Sequence, residues 1–302
     1  MTDVEFLEPL KQYEYTNPGS GNSFAANDRF FMFSSGEKPS LHNEQQSALP
    51  EPDDAGNPID FAGNIVEQDT RQSLLLETDQ HTLYLGKTFP DPGIQSAWSS
   101  NQQISLVANG PSEWIVVLSQ DFCVDQRWFM DNAFPANDVS RAWNEGYELT
   151  SICHQEGEWL AVLSKTGKQT FQRWRMTEHF PYDVIQDNWN DGYKIDRLVH
   201  ANGDWLVLCS REPASLQRWF LNESFPDREI QKGWDEGYQI DDLAYGDGHW
   251  AVVMKTRSEP GLQRWHLSDA FPGDRIEQGW ADGYRITQLG FGNNQWVLVM
   301  SR

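Results

Sequence analysis

Four copies of one short string hold the residues best suited to chemistry. Gln-Arg-Trp occurs as Gln126-Arg127-Trp128, Gln172-Arg173-Trp174, Gln217-Arg218-Trp219 and Gln263-Arg264-Trp265. Arg offers a planar fork of donors and Trp a flat apolar face, a combination that can hold a sugar or a carboxylate. Read for binding, Arg127, Trp128, Arg173, Trp174, Arg218, Trp219, Arg264 and Trp265 form four repeated ligand sites. Read for structure, each Arg stacks on an aromatic ring or pairs with an acid of the adjacent unit, and recurs because the fold recurs. A second recurring group is the acid before a glycine, at Glu145, Asp191, Glu236 and Asp282. In a closed ring these carboxylates would share one radius and could line a cation site. Acid-Gly is also ordinary turn chemistry.

No string of residues spells a catalytic centre. The seven histidines (42, 81, 154, 179, 200, 249 and 266) lack metal-ligand spacing, and His154 and His200 hold a repeat position that later carries Tyr245 and Phe291. Gly-x-Ser-x-Gly, a phosphate-cradling glycine loop and His-Glu-x-x-His are all missing. Cys123, Cys153 and Cys209 are too few and too scattered for a disulfide framework or a zinc motif. They suit a reducing compartment, as small buried hydrophobes. No cofactor or metal is expected. Isolated residues from different repeats can still converge at a channel mouth, which keeps an enzyme as one alternative.

The elements that would position these residues form a repeat. Trp143-Asn-Glu-Gly-Tyr147, Trp189-Asn-Asp-Gly-Tyr193, Trp234-Asp-Glu-Gly-Tyr238 and Trp280-Ala-Asp-Gly-Tyr284 are near-copies, with a degenerate Trp98-Ser-Ser-Asn-Gln upstream. Their spacings are 45, 46, 45 and 46 residues. After the acid-Gly turn, which favours positive φ, comes a short strand. A second, continuously apolar strand follows, as in Trp250-Ala-Val-Val-Met254. A third strand carries Gln-Arg-Trp. A Phe-Pro segment then opens about two turns of helix, with proline suited to the first helical position. Phe precedes the motif Trp by nine residues in all five units, and that Trp precedes the strand Trp by sixteen. Packing between neighbouring units accounts for most of the 14 tryptophans, each burying on the order of 200 Å².

A period of this length, three strands per period and aromatic punctuation predict an all-β chain with short helices, arranged as a β-propeller. An acidic, Pro-rich stretch at about 36–80 reads as an insertion, ending in a hairpin of Ser73-Leu-Leu-Leu76 with Thr82-Leu-Tyr-Leu85. With it set aside, the length holds about six periods, so six blades are expected and five or seven are the alternatives. Residues 1–302 then form one domain. Arg29-Phe-Phe-Met-Phe-Ser-Ser35 reads as the first core strand. Trp296-Val-Leu-Val-Met-Ser301 stops two strands into a unit in this phase. An N-terminal strand near Val4-Glu-Phe-Leu7 would complete the last blade and remove the exposed edges.

Lys and Arg number 23 against 45 Asp and Glu, a formal net charge of -22. A field of that sign repels phosphate backbones and anionic membranes, so neither nucleic acid nor membrane is expected as a partner. A protein with a basic surface is compatible. The N-terminus lacks the basic and apolar regions of a signal peptide, and no apolar run approaches a bilayer span, so the cytoplasm is the expected location.

Trp-x-x-Gly-Tyr-x-Ile, then Trp-x-Val-Val-Met-Ser, then Gln, then Phe-Pro-x-x-x-Ile-x-x-x-Trp resembles the C-terminal repeat domain of plant casein-kinase-1-like proteins. It is also similar to repeats beside microbial caspase-like domains. The resemblance covers about 81–302, with a weaker echo at 29–35. It implies an accessory, non-catalytic module. Here no kinase or protease domain accompanies the repeats, so a regulatory role would act on a separate protein, such as a protease, a kinase or a defence-complex subunit. The expected function is thus a protein-binding scaffold, regulator or recognition subunit. A propeller lectin using the Gln-Arg-Trp sites is the first alternative, and an enzyme with a channel-mouth site the second.

Overall fold

The computed structural model describes residues 73–302, apart from 121–122, 168–169, 213 and 258–260. The expected N-terminal core strand and latch strand, and the insertion up to residue 72, lie outside the described residues.

Every described unit builds one small antiparallel sheet. The first holds β1 (Leu74–Glu77), β2 (His81–Gly86), β3 (Gln102–Asn109) and β4 (Trp114–Gln120), in the order β1-β2-β4-β3. The second holds β5 (Gln126–Asp131), β6 (Glu148–Gln155) and β7 (Glu158–Ser164), ordered β5-β7-β6. The next three repeat that plan. They are β8 (Gln172–Thr177), β9 (Tyr193–Ala201) and β10 (Asp204–Arg211); β11 (Gln217–Asn222), β12 (Tyr238–Gly246) and β13 (His249–Thr256); and β14 (Gln263–Ser268), β15 (Arg285–Gly292) and β16 (Gln295–Ser301). In each the apolar strand is central, as its buried run requires. The predicted hairpin is present, with Leu74 opposite Leu85 and Leu76 opposite Leu83.

Five helices of nine residues link outer strand to inner strand: α1 (Asp91–Ser99), α2 (Ala136–Asn144), α3 (Tyr182–Asn190), α4 (Asp227–Asp235) and α5 (Gly273–Ala281). Each follows the proline of its Phe-Pro step, which takes the N-cap without a side-chain cap. Residues three apart, such as Val139 and Ala142 or Ile230 and Gly233, turn inward. Four of the helices end in the acid-Gly turn, where Gly146, Gly192, Gly237 and Gly283 have φ of 83°, 80°, 83° and 78°. That left-handed conformation is the physical reason for the glycine.

The inner strands β3, β6, β9, β12 and β15 touch in that order, and β15 touches β3. One apolar cluster fills each gap between neighbouring sheets. The strand tryptophans Trp114, Trp159, Trp205, Trp250 and Trp296 are all buried there, one per cluster. Trp296 packs with Leu106 and Ile115, so the fifth sheet meets the first. The expected packing role of these five residues is what the structure displays.

Two features differ from the sequence reading. Five sheets, the lower alternative, are found among the described residues. The phase of the unit also shifts, because each Gln-Arg-Trp strand pairs with the central strand that follows it in the chain, not the one before. Each sheet is therefore contiguous in sequence, and the last draws all three strands from Gln263–Ser301. Among the described residues no helix is long and apolar enough to cross a membrane.

Candidate functional site

Each Gln-Arg-Trp motif begins the outer strand of its sheet, and its three side chains take three different partners. The Arg lies over the tyrosine of its own sheet's acid-Gly-Tyr turn. The distances to the ring centre are 3.8 Å for Arg127 and Tyr147, 3.8 Å for Arg173 and Tyr193, 3.7 Å for Arg218 and Tyr238, and 4.1 Å for Arg264 and Tyr284. The same guanidinium reaches the acid before the glycine: Glu145 at 2.7 Å, Asp191 at 2.9 Å, Glu236 at 2.6 Å and Asp282 at 3.2 Å. Arg173 also donates from Nε to Asn188 and is buried. One clamp thus consumes both recurring motifs.

The first sheet tests this internally. Matched through the strand tryptophans, Thr82 stands where the Arg would be, Ser100 replaces the acid and Gln102 replaces the tyrosine. Arg, acid and ring are lost together, and Thr82 donates to Gln102 at 2.6 Å in their stead.

The glutamine fastens neighbouring sheets. Gln217 accepts from Ile195 N at 2.8 Å and from Trp189 Nε1 at 3.0 Å, and donates to Ile195 O at 2.8 Å. Gln172 and Gln263 hold Trp143 and Trp234 in the same way. The motif tryptophans Trp128, Trp174, Trp219 and Trp265 pack 4.9, 4.7, 5.0 and 5.0 Å from Phe89, Phe134, Phe180 and Phe225 of the preceding sheet. The structure distributes the eight predicted ligand residues around the sheets and engages each internally, without bringing the four sites together.

A different cluster does converge. Every inner strand carries a bulge near its start, at Ser105, Thr150, Asp196, Asp241 and Thr287. In three sheets the bulge hydroxyl meets a serine on the central strand: Ser105 with Ser119 at 3.0 Å, Thr150 with Ser164 at 2.8 Å, and Thr287 with Ser301 at 3.1 Å. The third and fourth sheets depart from this. Asp196 accepts from Ser210, and Asp241 faces Lys255 at 3.6 Å and Arg257 at 2.7 Å. Lys255 also pairs with Glu212. Burial opposes its charge, but Asp241 and Glu212 outweigh that and hold its ammonium above the usual range. Burial raises Asp196 to about 6, against the Ser210 hydroxyl.

The residue after each bulge reaches the preceding inner strand. Ser151 accepts from Val107 N at 2.9 Å, Arg197 donates to Thr150 O at 2.9 Å, Asp242 accepts from Leu198 N at 2.7 Å, and Gln288 donates to Asp241 O at 2.5 Å. Leu106 holds this position in the first sheet and packs against the fifth. Asp242 is buried 3.7 Å from Arg197, and burial raises its carboxyl to about 7. These departures open into a cleft of about 900 Å³ across the second, third and fourth sheets, lined by Glu148, Arg197, Arg211, Glu212, Asp241 and Lys255 among others. Phe171 and Leu216, 58% and 57% exposed, stand beside its lining residues Thr170, Gln172 and Ser215. Their carbonyls accept from Arg211 N and Thr256 N, both at 2.9 Å, which fixes the backbone that presents them.

The model of a family described as a domain of unknown function (DUF7477) matches residues 152–244 and again 212–302, together half of the chain. The chain belongs to this family. No curated protein matches it. The two DUF7477 matches overlap, and each spans about two of the repeat periods described above. The span holds Asp196, Arg197, Glu212, Asp241 and Lys255, so most of the charged cleft is DUF7477 territory.

Sequence reasoning missed this cleft. The available signal was departure from the repeat: hydroxyl residues at three bulges and carboxylates at two. His154 and His200 pack 5.1 and 5.0 Å from Trp159 and Trp205, and His200 lies 3.0 Å from Asp247. Among the described residues no group of three or more His, Cys, Asp or Glu could hold a metal ion. Cys153 and Cys209 are buried, and burial pushes both thiols up.

Proposed function

We propose that this DUF7477 chain is a five-bladed β-propeller that binds another protein through the charged cleft spanning its second to fourth sheets. It is a non-catalytic scaffold or regulatory subunit in this reading. The cycle of inner strands and of inter-sheet clusters supports the propeller. The observation that carries the function is the break in symmetry at Asp196, Asp241 and Lys255. In a repeat protein, residues that recur serve the repeat. Residues that abandon it at one sector are released from that duty and are free to serve a partner.

The sector also has the anatomy of a protein contact. Its charges sit in internal pairs, which favours recognition over reaction, and fixed apolar side chains stand at its margin. A basic or mixed-charge protein suits a chain of net charge -22.

Affinity purification of the tagged chain from the cells that express it tests the reading. A stoichiometric protein partner should copurify, and should be lost from the Phe171→Ser/Leu216→Ser double variant. These side chains are exposed, so circular dichroism and the melting temperature should stay unchanged. A wild-type chain recovered as a monomer without a partner overturns the reading. Partner recovery that the double variant leaves intact removes the cleft from it.

A further inference from the structure

The outer edges of the sheets are not alike. In the first sheet β1 lies antiparallel along β2 and sends Leu76 into the cluster between fifth and first sheets. Among the described residues, the strands that take the place of β2 elsewhere, β5, β8, β11 and β14, are the outermost in their sheets. Such an edge presents backbone donors and acceptors that a further strand can complete. β14 is the most open of the four. Its six residues are all partly exposed, whereas the other three each contain a buried residue.

The chemistry beside β14 alternates with its pleat. Arg264 and His266 pair across the sheet with Met300 and Leu298, and with exposed Arg275 on α5 they line a cavity of about 260 Å³. Trp265 and Leu267 belong to the opposite face and pack toward the fourth sheet. The register of β1 on β2 supplies a precedent within the molecule. Matched through the strand tryptophans, Leu76 and Leu74 stand opposite the places of Trp265 and Leu267, and Glu77 stands opposite the place of Arg264. A strand in that register would lay apolar side chains beside Trp265 and Leu267 on one face and a carboxylate beside Arg264, in the cavity that Arg275 also lines, on the other.

We propose that the outer edge of β14 takes up an extended segment of a partner protein as a fourth strand, one with apolar residues opposite Trp265 and Leu267 and a carboxylate opposite Arg264. The proposal rests on the reading of the chain as a protein-binding module, and places a second contact away from the charged cleft.

The test appends a copy of Ser73–Thr78 after Arg302 through a flexible Gly-Ser linker, which raises the copy's effective concentration at β14. Arg302 already exchanges backbone hydrogen bonds with Leu262, so the tether starts beside the edge. Hydrogen exchange of the β14 amides is the readout. The appended copy should slow exchange at 263–268 by about ten-fold, a copy with Glu replaced by Lys should do so much less, and Arg275→Glu should reverse that order. Arg275 is exposed on α5, so its variant should fold normally. Unchanged exchange at 263–268, or equal protection by the Glu and Lys copies, overturns the proposal. Neither result bears on the cleft, whose partner is lost with Phe171 and Leu216 and is indifferent to Arg275→Glu.

Discussion

The guanidinium of Arg218 lies 3.7 Å above the centre of the Tyr238 ring while pairing with Glu236 at 2.6 Å. One cation thereby ties the outer strand, the helix end and the start of the inner strand of a single sheet. The recurring Arg, acid and Tyr form one device, and its strength should follow burial. The Arg173 side chain is 9% exposed, against 23% for Arg218 and 39% for Arg264.

Arg173→Ala should cost about 2–3 kcal/mol, because it leaves buried Asn188 without its donor and removes packing on Tyr193. Arg264→Ala should cost less than about 1 kcal/mol, since an exposed pair competes with water. Denaturant unfolding of the three Arg→Ala variants checks the order Arg173, Arg218, Arg264. Equal losses at all three would mean that the clamp does not act through desolvation. Arg173→Lys should recover little, as an ammonium cannot both stack and fork.

At the joint between first and second sheets Gln126 holds Ile104 but leaves Trp98 Nε1 without a hydrogen-bond partner among the described residues. At the joint between fifth and first sheets the glutamine is replaced. His81 stands there in place of glutamine and stacks 5.6 Å from Trp280. Trp280 Nε1 is buried without a hydrogen-bond partner among the described residues. Trp143, Trp189 and Trp234 each donate to a glutamine at 3.0 Å. Gln217→Ala, which strands the buried Ile195 N and O and the part-buried Trp189 Nε1, should cost about 2–3 kcal/mol. His81→Gln should instead stabilise the chain by about 1 kcal/mol by giving Trp280 an acceptor. Thermal melts of the two variants decide the point. A destabilised His81→Gln protein would show that the ring stack on Trp280 outweighs the missing hydrogen bond.

Much of the fold was legible because recurrence exposes it. The strand tryptophans, the Phe-Pro helices and the positive-φ glycines each repeat at fixed offsets, and each is where the offsets put it. The phase was not legible, because a period fixes a translation and leaves the origin of the unit free. Whether Gln263 pairs with the strand before it or after it depends on long-range hydrogen bonding that no local pattern records. The site was legible in its structural half. Arg173 and Asp191 could be foreseen as partners, since both recur. Asp196, Asp241 and Lys255 read as ordinary polar residues in short strands until the bulges align them with Ser105, Thr150 and Thr287.

The buried carboxyl of Asp242 should make stability fall as pH rises. Burial lifts it from 3.8 to about 7 in the folded chain, and Asp196 likewise to about 6. Unfolded, both titrate near the ordinary value. Between about pH 4 and the raised values, the folded chain keeps protons that the unfolded chain has released. The stabilisation from this source is full below the ordinary carboxylate range and is lost as pH climbs through the folded values. Asp242→Asn keeps an acceptor for Leu198 N but cannot ionise. It should therefore raise the melting temperature at pH 8 relative to wild type and have a smaller effect at pH 5. The attraction to Arg197 at 3.7 Å opposes this gain, and the raised carboxyl shows that burial outweighs it. Melting curves of both proteins across that range are the measurement. Parallel curves, or a variant whose relative stability falls as pH rises, would mean that Asp242 is held charged in the fold.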